Sequence, residues 1–187
     1  MTRIVAGNLG GRRIAAPPGA GTRPTSDRVR EALFSAVEAE VDLEGARFAD
    51  LYAGSGAVGL EALSRGAEHV LLVESDPRAA RVIRENLTAL RVGASARLVA
   101  GKVATVLAAG VAGEPYDAVF ADPPYALPDD GVRAMLAALV DGGWLAPEAL
   151  VVVERSSRGG PVEWVEGITG QRSRRYGETT LWYGRRS

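Results

Sequence analysis

The chain has 187 residues, of which 47% are hydrophobic, and a net charge of −1. This composition predicts one globular domain over residues 1–187 with a buried core, and it excludes a disordered chain. The absence of cysteine excludes disulfides, thiol catalysis and thiolate zinc sites. No apolar run reaches the ~18 residues of a membrane span or forms a signal peptide, so we expect a cytoplasmic protein without a membrane partner.

The first predicted element is a basic β-hairpin within residues 1–23. Two short β-branched runs, 3–7 and 12–17, flank a turn rich in glycine. Residues 1–30 carry six arginines and one aspartate, and residues 155–187 have an excess of four positive charges, which leaves −10 for the segment between them. Basic ends on an acidic body indicate that the ends hold a polyanion.

Residues 24–187 are predicted to form a catalytic α/β core. A helix within 22–41, capped by Thr25, Ser26 or Asp27, comes first. The strands that follow are 47–54, 69–74, 96–101, 116–122 and 149–154, and the helices are 57–66, 76–93, 102–110 and 128–143. Apolar strands that alternate with helices indicate a doubly wound, mainly parallel sheet covered on both faces. Strand candidates 172–178 and 179–184 bring the sheet to seven strands, with an antiparallel edge strand.

A glycine pattern follows the first strand of this core. Gly54, Gly56 and Gly59 have the spacing GxGxxG and open the next helix. Glycine permits a tight turn and lets a ligand lie against the backbone, with the helix N-terminus facing it. Glu74, at the end of the next strand, suits a pair of ribose hydroxyls. These features together predict a nucleoside-type cofactor.

Two cofactors fit this spacing. NAD is one of them, because the same glycines accommodate its pyrophosphate. Asp50, at the end of the strand before the glycines, favours S-adenosylmethionine instead. A carboxylate there would repel a pyrophosphate and attract the ammonium group of the methyl donor. The alternative is that Asp50 only caps the loop.

The sequence Asp122-Pro123-Pro124-Tyr125 ends the strand that we expect beside the glycine pattern, where doubly wound sheets bind ligands. The prolines end the strand and would hold the Asp122 carboxylate and the Pro123 carbonyl as two fixed acceptors. A planar amine on a base would donate to both acceptors while its ring stacks on Tyr125. Because an amine that attacks a methyl group becomes positive, such acceptors favour the transition state.

The segments 3–14, 22–34, 50–67, 73–76 and 121–125 together resemble the bacterial small-subunit ribosomal RNA guanine-N2 methyltransferase family, RsmD type. The resemblance spans nearly the whole chain. It implies a Rossmann-like class I methyltransferase fold, S-adenosylmethionine as the methyl donor and S-adenosylhomocysteine as the product. The implied substrate is a flipped-out guanine of 16S ribosomal RNA in an assembling small subunit. We also expect a monomer without a metal.

The resemblance also implies a set of site residues. The catalytic residues are Asp122, Pro123, Pro124 and Tyr125. The cofactor-binding residues are Asp50, Tyr52, Ala53, Gly54, Ser55, Gly56, Gly59, Glu74, Ser75, Val103 and Asp122. The RNA-binding residues are Arg3, Arg12, Arg13, Arg23, Thr25 and Arg28. Many methyltransferases have a polar residue where this chain has Lys102 and Val103, so we expect backbone groups to meet the adenine here.

Two other classes of function fit the same residues. One is an amino-methyltransferase that acts on DNA bases or on protein glutamine. The glutamine enzymes usually have Asn in place of Asp122, and the DNA enzymes generally contain an additional target-recognition segment. The other class is an RNA-binding assembly factor without turnover, in which intact catalytic residues would have no purpose.

Overall fold

The computed structural model describes residues 2–17 and 26–187. In chain order the elements are β1 (Thr2–Arg3), β2 (Arg13–Ile14), α1 (Asp27–Glu40), β3 (Arg47–Leu51), α2 (Ala57–Ser64), β4 (His69–Glu74), α3 (Pro77–Leu90), β5 (Ala96–Ala100), α4 (Val103–Ala108), β6 (Tyr116–Ala121), α5 (Asp129–Asp141), β7 (Leu145–Ser156), β8 (Ile168–Tyr176) and β9 (Thr179–Arg186). Within the described ranges the longest helices have 14 residues, which is too short to cross a bilayer.

Seven strands form one sheet in the order β5-β4-β3-β6-β7-β9-β8. The first five of these are mutually parallel, and β9 runs antiparallel to both of its neighbours. The predicted mainly parallel, seven-stranded sheet is therefore confirmed. Its antiparallel strand lies one position in from the edge rather than at the edge, because β8 and β9 form a hairpin whose second strand pairs with β7.

Helices cover both faces of the sheet. On the α1 face, helices α1, α2 and α3 pack against strand residues such as Phe48 and Leu72. On the α5 face, helices α4 and α5 pack against residues such as Val119 and Val151. The central strands are buried from both sides, which explains why their sequences are continuously apolar rather than alternating.

The helix ends follow from local sequence. The Ser26 side chain accepts a hydrogen bond from the Val29 N–H and caps α1, as one of the predicted capping residues. The Asp76 side chain caps α3, and Pro77 occupies its first position, where a missing N–H costs nothing. Helix α3 ends at Leu90, and its C-cap Arg91 has a left-handed conformation, two residues before Gly93, where the predicted segment ends.

The N-terminal hairpin is present, with only two paired residues in each strand. Its buried residues Ile4 and Ile14 pack against α2 and α3 in a small separate apolar cluster. The hairpin therefore rests on α3 and on α2, the helix that the glycine pattern opens. Arg23 and Thr25, which the sequence analysis assigned to RNA binding, lie outside the described residues.

Candidate active site at the carboxyl edge of the sheet

Two loops leave the carboxyl edge of the sheet side by side. Strand β3 leads into residues 52–56, the glycine loop, and β6 leads into residues 122–128, the Asp-Pro-Pro-Tyr loop. The two strands are parallel neighbours, with Leu51 opposite Ala121. The chain order reverses on either side of β3, and ligands of doubly wound sheets bind at such a switch point.

The glycine loop has an unusual backbone. Tyr52, Gly54 and Gly56 all have positive φ, at 60°, 60° and 83°. For a bulky residue such as Tyr52 this conformation costs about 1–3 kcal/mol, and such strain concentrates at functional sites. A Cβ built on Gly54 would meet no atom within 4 Å. The outer surface of the loop is therefore open to a ligand that approaches the backbone.

Glu74 lies at the end of β4 and shapes the glycine loop. Its Oε1 accepts a hydrogen bond from the Gly54 N–H at 2.7 Å, and its Oε2 accepts from the Asp76 N–H at 2.9 Å. An ionised carboxylate has about four acceptor sites, so each oxygen keeps capacity for a further donor. Since the side chain is partly exposed, it fits the predicted contact with ribose hydroxyls.

Asp50 lies behind the loop rather than on its surface. The residue is 1% exposed, and its Oδ2 accepts a hydrogen bond from the Gly59 N–H at 2.8 Å. Burial raises the pKa of Asp50 well above its usual value, although the hydrogen bond from Gly59 opposes this shift. This geometry favours the loop-capping alternative; a contact between Asp50 and an ammonium group stays a prediction.

Gly59 likewise has a packing role that its contacts explain. A Cβ at this position would lie 2.7 Å from Leu72 and 2.9 Å from Val70, both in β4. Only glycine therefore lets α2 approach the sheet so closely.

Of the other predicted cofactor residues, Ser75 is exposed after β4, and Val103 is buried at the start of α4. Both follow strand ends at the same edge as the glycine loop.

The Asp-Pro-Pro-Tyr loop presents its groups at the surface. Asp122 is partly buried, whereas Tyr125 is 54% exposed and is the one exposed large hydrophobic side chain within residues 2–17 and 26–187. Pro123 is buried, and Pro124 is exposed. An exposed aromatic ring is available to stack on a planar ligand.

The electrostatic environment of Asp122 is unfavourable for a charge. Burial raises the pKa of this carboxyl well above its usual value, and the carboxylates of Glu154 and Asp50 raise it further. The positive charge of Arg155 opposes the shift. Like charges held together in this way are typical of functional sites.

Arg155, at the end of β7, fixes the shape of the Asp-Pro-Pro-Tyr loop and was missed in the sequence analysis. Its Nη1 donates to the Pro124 carbonyl at 3.3 Å, and its Nη2 donates to the Leu127 carbonyl at 2.8 Å. Within the described ranges, no group donates to the Pro123 carbonyl, and its role as an acceptor for a ligand stays a prediction. No sequence motif marks Arg155, because the contact joins the end of β7 to loop residues that are 28 and 31 positions away along the chain.

Asn86 connects the hairpin to the glycine loop and was also missed. Its Nδ2 donates to the Ala15 carbonyl at 3.0 Å and to the Ser55 carbonyl at 3.1 Å, and its Oδ1 accepts from the Ala15 N–H at 2.9 Å. An asparagine on the buried side of a helix is unfavourable unless it forms such bonds. That mismatch was the available sequence signal.

Glu61 is the second buried anchor of the hairpin. The residue is fully buried on α2 and accepts hydrogen bonds from the N–H groups of Val5 and Ala6. It also pairs with the buried Arg30 at 3.4 Å and with Arg65 at 2.9 Å. The sequence analysis did not assign Glu61 to the site, and its role is to hold the hairpin and α1 against the helix that follows the glycine loop.

The arginines assigned to RNA binding lie on the surface near this hairpin. Arg3, Arg12, Arg13 and Arg28 are all exposed. Arg3 pairs with Asp27 at 3.3 Å, so the hairpin meets the start of α1. A cavity of about 340 Å³ between them is lined by Thr2, Arg3, Arg13 and Asp27.

The described part of the chain contains neither a cluster of metal ligands nor a histidine at the two loops. No group of three or more His, Asp and Glu side chains there has the geometry to hold a metal ion. His69 lies at the start of β4, at the opposite edge of the sheet, and its Nε2 is 3.2 Å from the Tyr116 hydroxyl. The histidine is therefore structural.

Comparisons with known proteins agree with this geometry. The family described as "Conserved hypothetical protein 95" matches residues 2–185. The ribosomal RNA small subunit methyltransferase D of Escherichia coli is 40% identical over 178 residues, which cover 90% of this chain and 85% of that protein. The solved structure of the Escherichia coli protein yhhF superposes with a TM-score of 0.85 and 35% identity, and covers 100% of this chain and 98% of its own.

A more distant structure shares the fold. Magnesium protoporphyrin IX methyltransferase of Synechocystis, solved with bound S-adenosylmethionine, superposes with a TM-score of 0.66 at 15% identity and covers 86% of this chain and 79% of its own. This chain and that methyltransferase therefore have the same fold.

Proposed function

We infer the function from one premise: this chain belongs to the Conserved hypothetical protein 95 family. Like the relatives that are named ribosomal RNA small subunit methyltransferase D, it is an enzyme that methylates the ribosomal RNA of the small subunit. We propose that it transfers a methyl group from S-adenosylmethionine to the exocyclic N2 amine of a guanine in 16S ribosomal RNA. The observation that carries this proposal is the placement of the Asp-Pro-Pro-Tyr loop directly beside the open glycine loop.

The glycine loop and the end of β4 fit the methyl donor. Glu74 keeps acceptor capacity for the ribose hydroxyls, and Gly54 leaves bare backbone for the ligand. Tyr52, Ala53, Ser55, Gly56, Ser75 and Val103 follow strand ends at the same edge. The bound donor supplies an electrophilic methyl group on a sulfonium. Asp50 and Gly59 support the loop from behind.

The Asp-Pro-Pro-Tyr loop holds the amine. The Asp122 carboxylate and the Pro123 carbonyl accept the two hydrogens of the guanine N2 amine and aim its nitrogen at the methyl group. The nitrogen gains positive charge as it attacks, so the Asp122 carboxylate interacts more strongly with the transition state than with the substrate. The raised pKa of Asp122 also suits a group that receives a proton as the reaction ends.

The exposed Tyr125 ring receives the flipped base. A guanine can reach Asp122 only outside its helical stack, and the loss of stacking is offset by contact with an aromatic side chain. Arg155 fixes the loop through two carbonyls, so that the ring and the acceptors keep one relative position. It acts through the loop and is a positioning residue.

The N-terminal hairpin holds the RNA backbone in this proposal. Arg3, Arg12, Arg13 and Arg28 are exposed there, and guanidinium groups bind phosphates in a bidentate manner. The anchors Asn86 and Glu61 fix the hairpin relative to the glycine loop. We propose that a monomer acts in the cytoplasm on an assembling small subunit, where the target guanine is accessible.

Ribosomal RNA from a strain without the gene tests the proposal. We expect the RNA to lack one N2-methylguanosine, and we expect the wild-type gene to restore it while a gene encoding Asp122→Ala does not. A methylation pattern that stays unchanged in the deletion strain would contradict the proposed substrate. Restoration by the Asp122→Ala gene would contradict the proposed catalytic residue.

A further inference from the structure

Strand β8 carries three arginines that the proposed function does not use. It forms the edge of the sheet and pairs with β9, and residues 169–175 are all exposed. Arg172, Arg174 and Arg175 form no ion pair with any other residue in the described ranges. An exposed strand with three uncompensated positive charges is a candidate surface for an anion.

The direction of β8 brings part of this surface to the edge of the sheet that holds the active site. β8 is antiparallel to β9, and β9 is antiparallel to β7, so β8 ends at the carboxyl edge. Arg174 shares a row with Leu181 and Glu154 across the three strands. Two strand spacings correspond to about 10 Å, so Arg174 lies close to the strand that flanks the Asp-Pro-Pro-Tyr loop.

The pleat of the strand separates the three arginines onto two faces. Arg172 is paired with Tyr183, and Arg174 is paired with Leu181; both partners are buried on the α1 face. Residues directly opposite each other in a ladder share a face. The Arg172 guanidinium indeed lies over the Tyr183 ring at 4.9 Å. Arg175 shares its row with Arg155 and lies on the α5 face.

The N-terminal hairpin lies toward the same face and the same edge. Arg185, at the far end of β9, donates to the Glu40 carbonyl, so helix α1 ends at the amino edge of the sheet. Helix α1 therefore begins at the carboxyl edge, where Asp27 pairs with Arg3 of the hairpin. Arg28, in the first turn of α1, is exposed. Exposed arginines thus occur on the hairpin, in the first turn of α1 and on β8, while Asp27 and Glu31 place negative charge at the start of α1.

We propose that Arg172 and Arg174 form a second contact with RNA phosphates, on the α1 face, separate from the hairpin contact. This inference rests on the proposed function, because it takes ribosomal RNA as the polyanion. The hairpin and β8 then hold the RNA backbone at two points on either side of α1, and the target guanine enters the cleft beside them. Two contacts fix the orientation of the RNA, whereas one contact fixes only its position.

Edge protection is the competing explanation for these charges. Charged side chains on an edge strand prevent pairing with a second sheet, and that role does not depend on the face to which a side chain points. RNA binding on the α1 face requires Arg172 and Arg174 but not Arg175. The two explanations therefore predict different effects for substitutions on the two faces of β8.

Binding of small ribosomal subunits, measured over a series of salt concentrations, separates them. The double variant Arg172→Gln/Arg174→Gln should lose roughly 1.4–1.8 from the slope of log affinity against log salt, because each phosphate contact contributes roughly 0.7–0.9. The matched control Arg97→Gln/Arg175→Gln removes two exposed charges on the α5 face, neither of which forms an ion pair within the described ranges, and it should keep the wild-type slope. The charge-preserving variant Arg172→Lys/Arg174→Lys should also keep it, which excludes a folding defect as the cause.

An unchanged slope in Arg172→Gln/Arg174→Gln would overturn the second contact. This holds even if the variant aggregates because its edge strand is no longer protected. An equal loss of slope in the control would also overturn it, because the effect would then be general. Methyl transfer by the wild-type protein is measured on the same particles. If the wild type transfers no methyl group to RNA, the proposed function fails; if it does and the slope is unaffected, only the second contact fails.

Discussion

The two loops at the carboxyl edge differ in how they are held. The glycine loop is fixed by two carboxylates: the partly exposed Glu74 accepts from Gly54, and the buried Asp50 accepts from the helix that follows the loop. The Asp-Pro-Pro-Tyr loop is fixed from one side by Arg155, and Tyr125 projects into solvent. One loop has its binding groups organised for a small ligand, and the other is open toward a macromolecule.

The difference also has an electrostatic side. On the Asp-Pro-Pro-Tyr side, burial and the neighbouring carboxylates of Glu154 and Asp50 disfavour the ionised Asp122. A positive charge that develops nearby during methyl transfer relieves this repulsion. The folded protein therefore keeps an unfavourable interaction at Asp122 that the reaction removes. A group that interacts better with the transition state than with the substrate contributes to catalysis and not only to binding.

Asp122→Ala gives the largest expected effect and separates the functions of the two loops. Single-turnover methyl transfer to small-subunit particles should slow by about 10²–10³, by analogy with the loss of one preorganised hydrogen-bonding group. Affinity for S-adenosylmethionine, measured by calorimetry, should stay within about twofold, because the glycine loop is untouched. A near-wild-type rate would remove Asp122 from catalysis.

Glu74→Ala tests the opposite loop. The lost charge-assisted hydrogen bonds should cost about 1.5–3 kcal/mol, or roughly 10- to 150-fold in affinity for S-adenosylmethionine. Asp141→Ala is the matched control, since this exposed carboxylate lies at the end of α5, away from both loops. Calorimetry that finds equal affinities in Glu74→Ala and the control would disprove the ribose contact. Tight NAD binding by the wild type would reverse the choice of cofactor.

Tyr125 tests whether the exposed ring stacks on the base. Tyr125→Ala should lose about 1–3 kcal/mol of stacking, measured as kcat/KM for the RNA substrate. Tyr125→Phe keeps the ring and should remain largely active. Both variants should bind S-adenosylmethionine normally. An inactive Tyr125→Phe would mean that the hydroxyl group, and not the ring face, contributes to the reaction.

Asp122→Asn should stabilise the fold while it lowers activity. The pKa of Asp122 is raised in the folded state, so its ionised form destabilises the fold above the pKa of the unfolded chain. The variant should therefore have a higher Tm at neutral pH, and each 1 kcal/mol gained corresponds to roughly 2–4 °C. The difference should begin to shrink as the pH falls below the raised pKa, and it should vanish below the ordinary pKa of an aspartate, where the carboxyl is protonated in the folded and the unfolded chain. A lower Tm at neutral pH would contradict the predicted repulsion.

The sequence predicted most of the fold because its signals are local. Glycine spacing, capping residues and apolar runs identified each helix and strand within a few residues, and Pro77 and Ser26 lie where their chemistry requires. The order of the last two strands was less accessible, since it depends on which strand of a hairpin pairs with β7. The predicted domain limits and the roles of the site residues remain predictions.

The residues that the sequence analysis missed act over long distances along the chain. Arg155 holds a loop that is 28 and 31 residues away, and Asn86 bonds to Ala15, which is 71 residues away. Side chains of this kind support a site without contacting a ligand, so no motif spacing marks them. Only the packing of the elements brings Asn86, Glu61 and Arg155 to their partners.

The central claim is that the Asp-Pro-Pro-Tyr loop delivers a guanine N2 amine to the donor on the glycine loop. Nucleoside analysis of 16S ribosomal RNA, after a single turnover with isotopically labelled S-adenosylmethionine and purified small-subunit particles, tests it most directly. The account predicts that the label is recovered in N2-methylguanosine and that Asp122→Ala abolishes nearly all of it. Label on a ring nitrogen of guanine, on another base or on ribosomal protein would contradict the account.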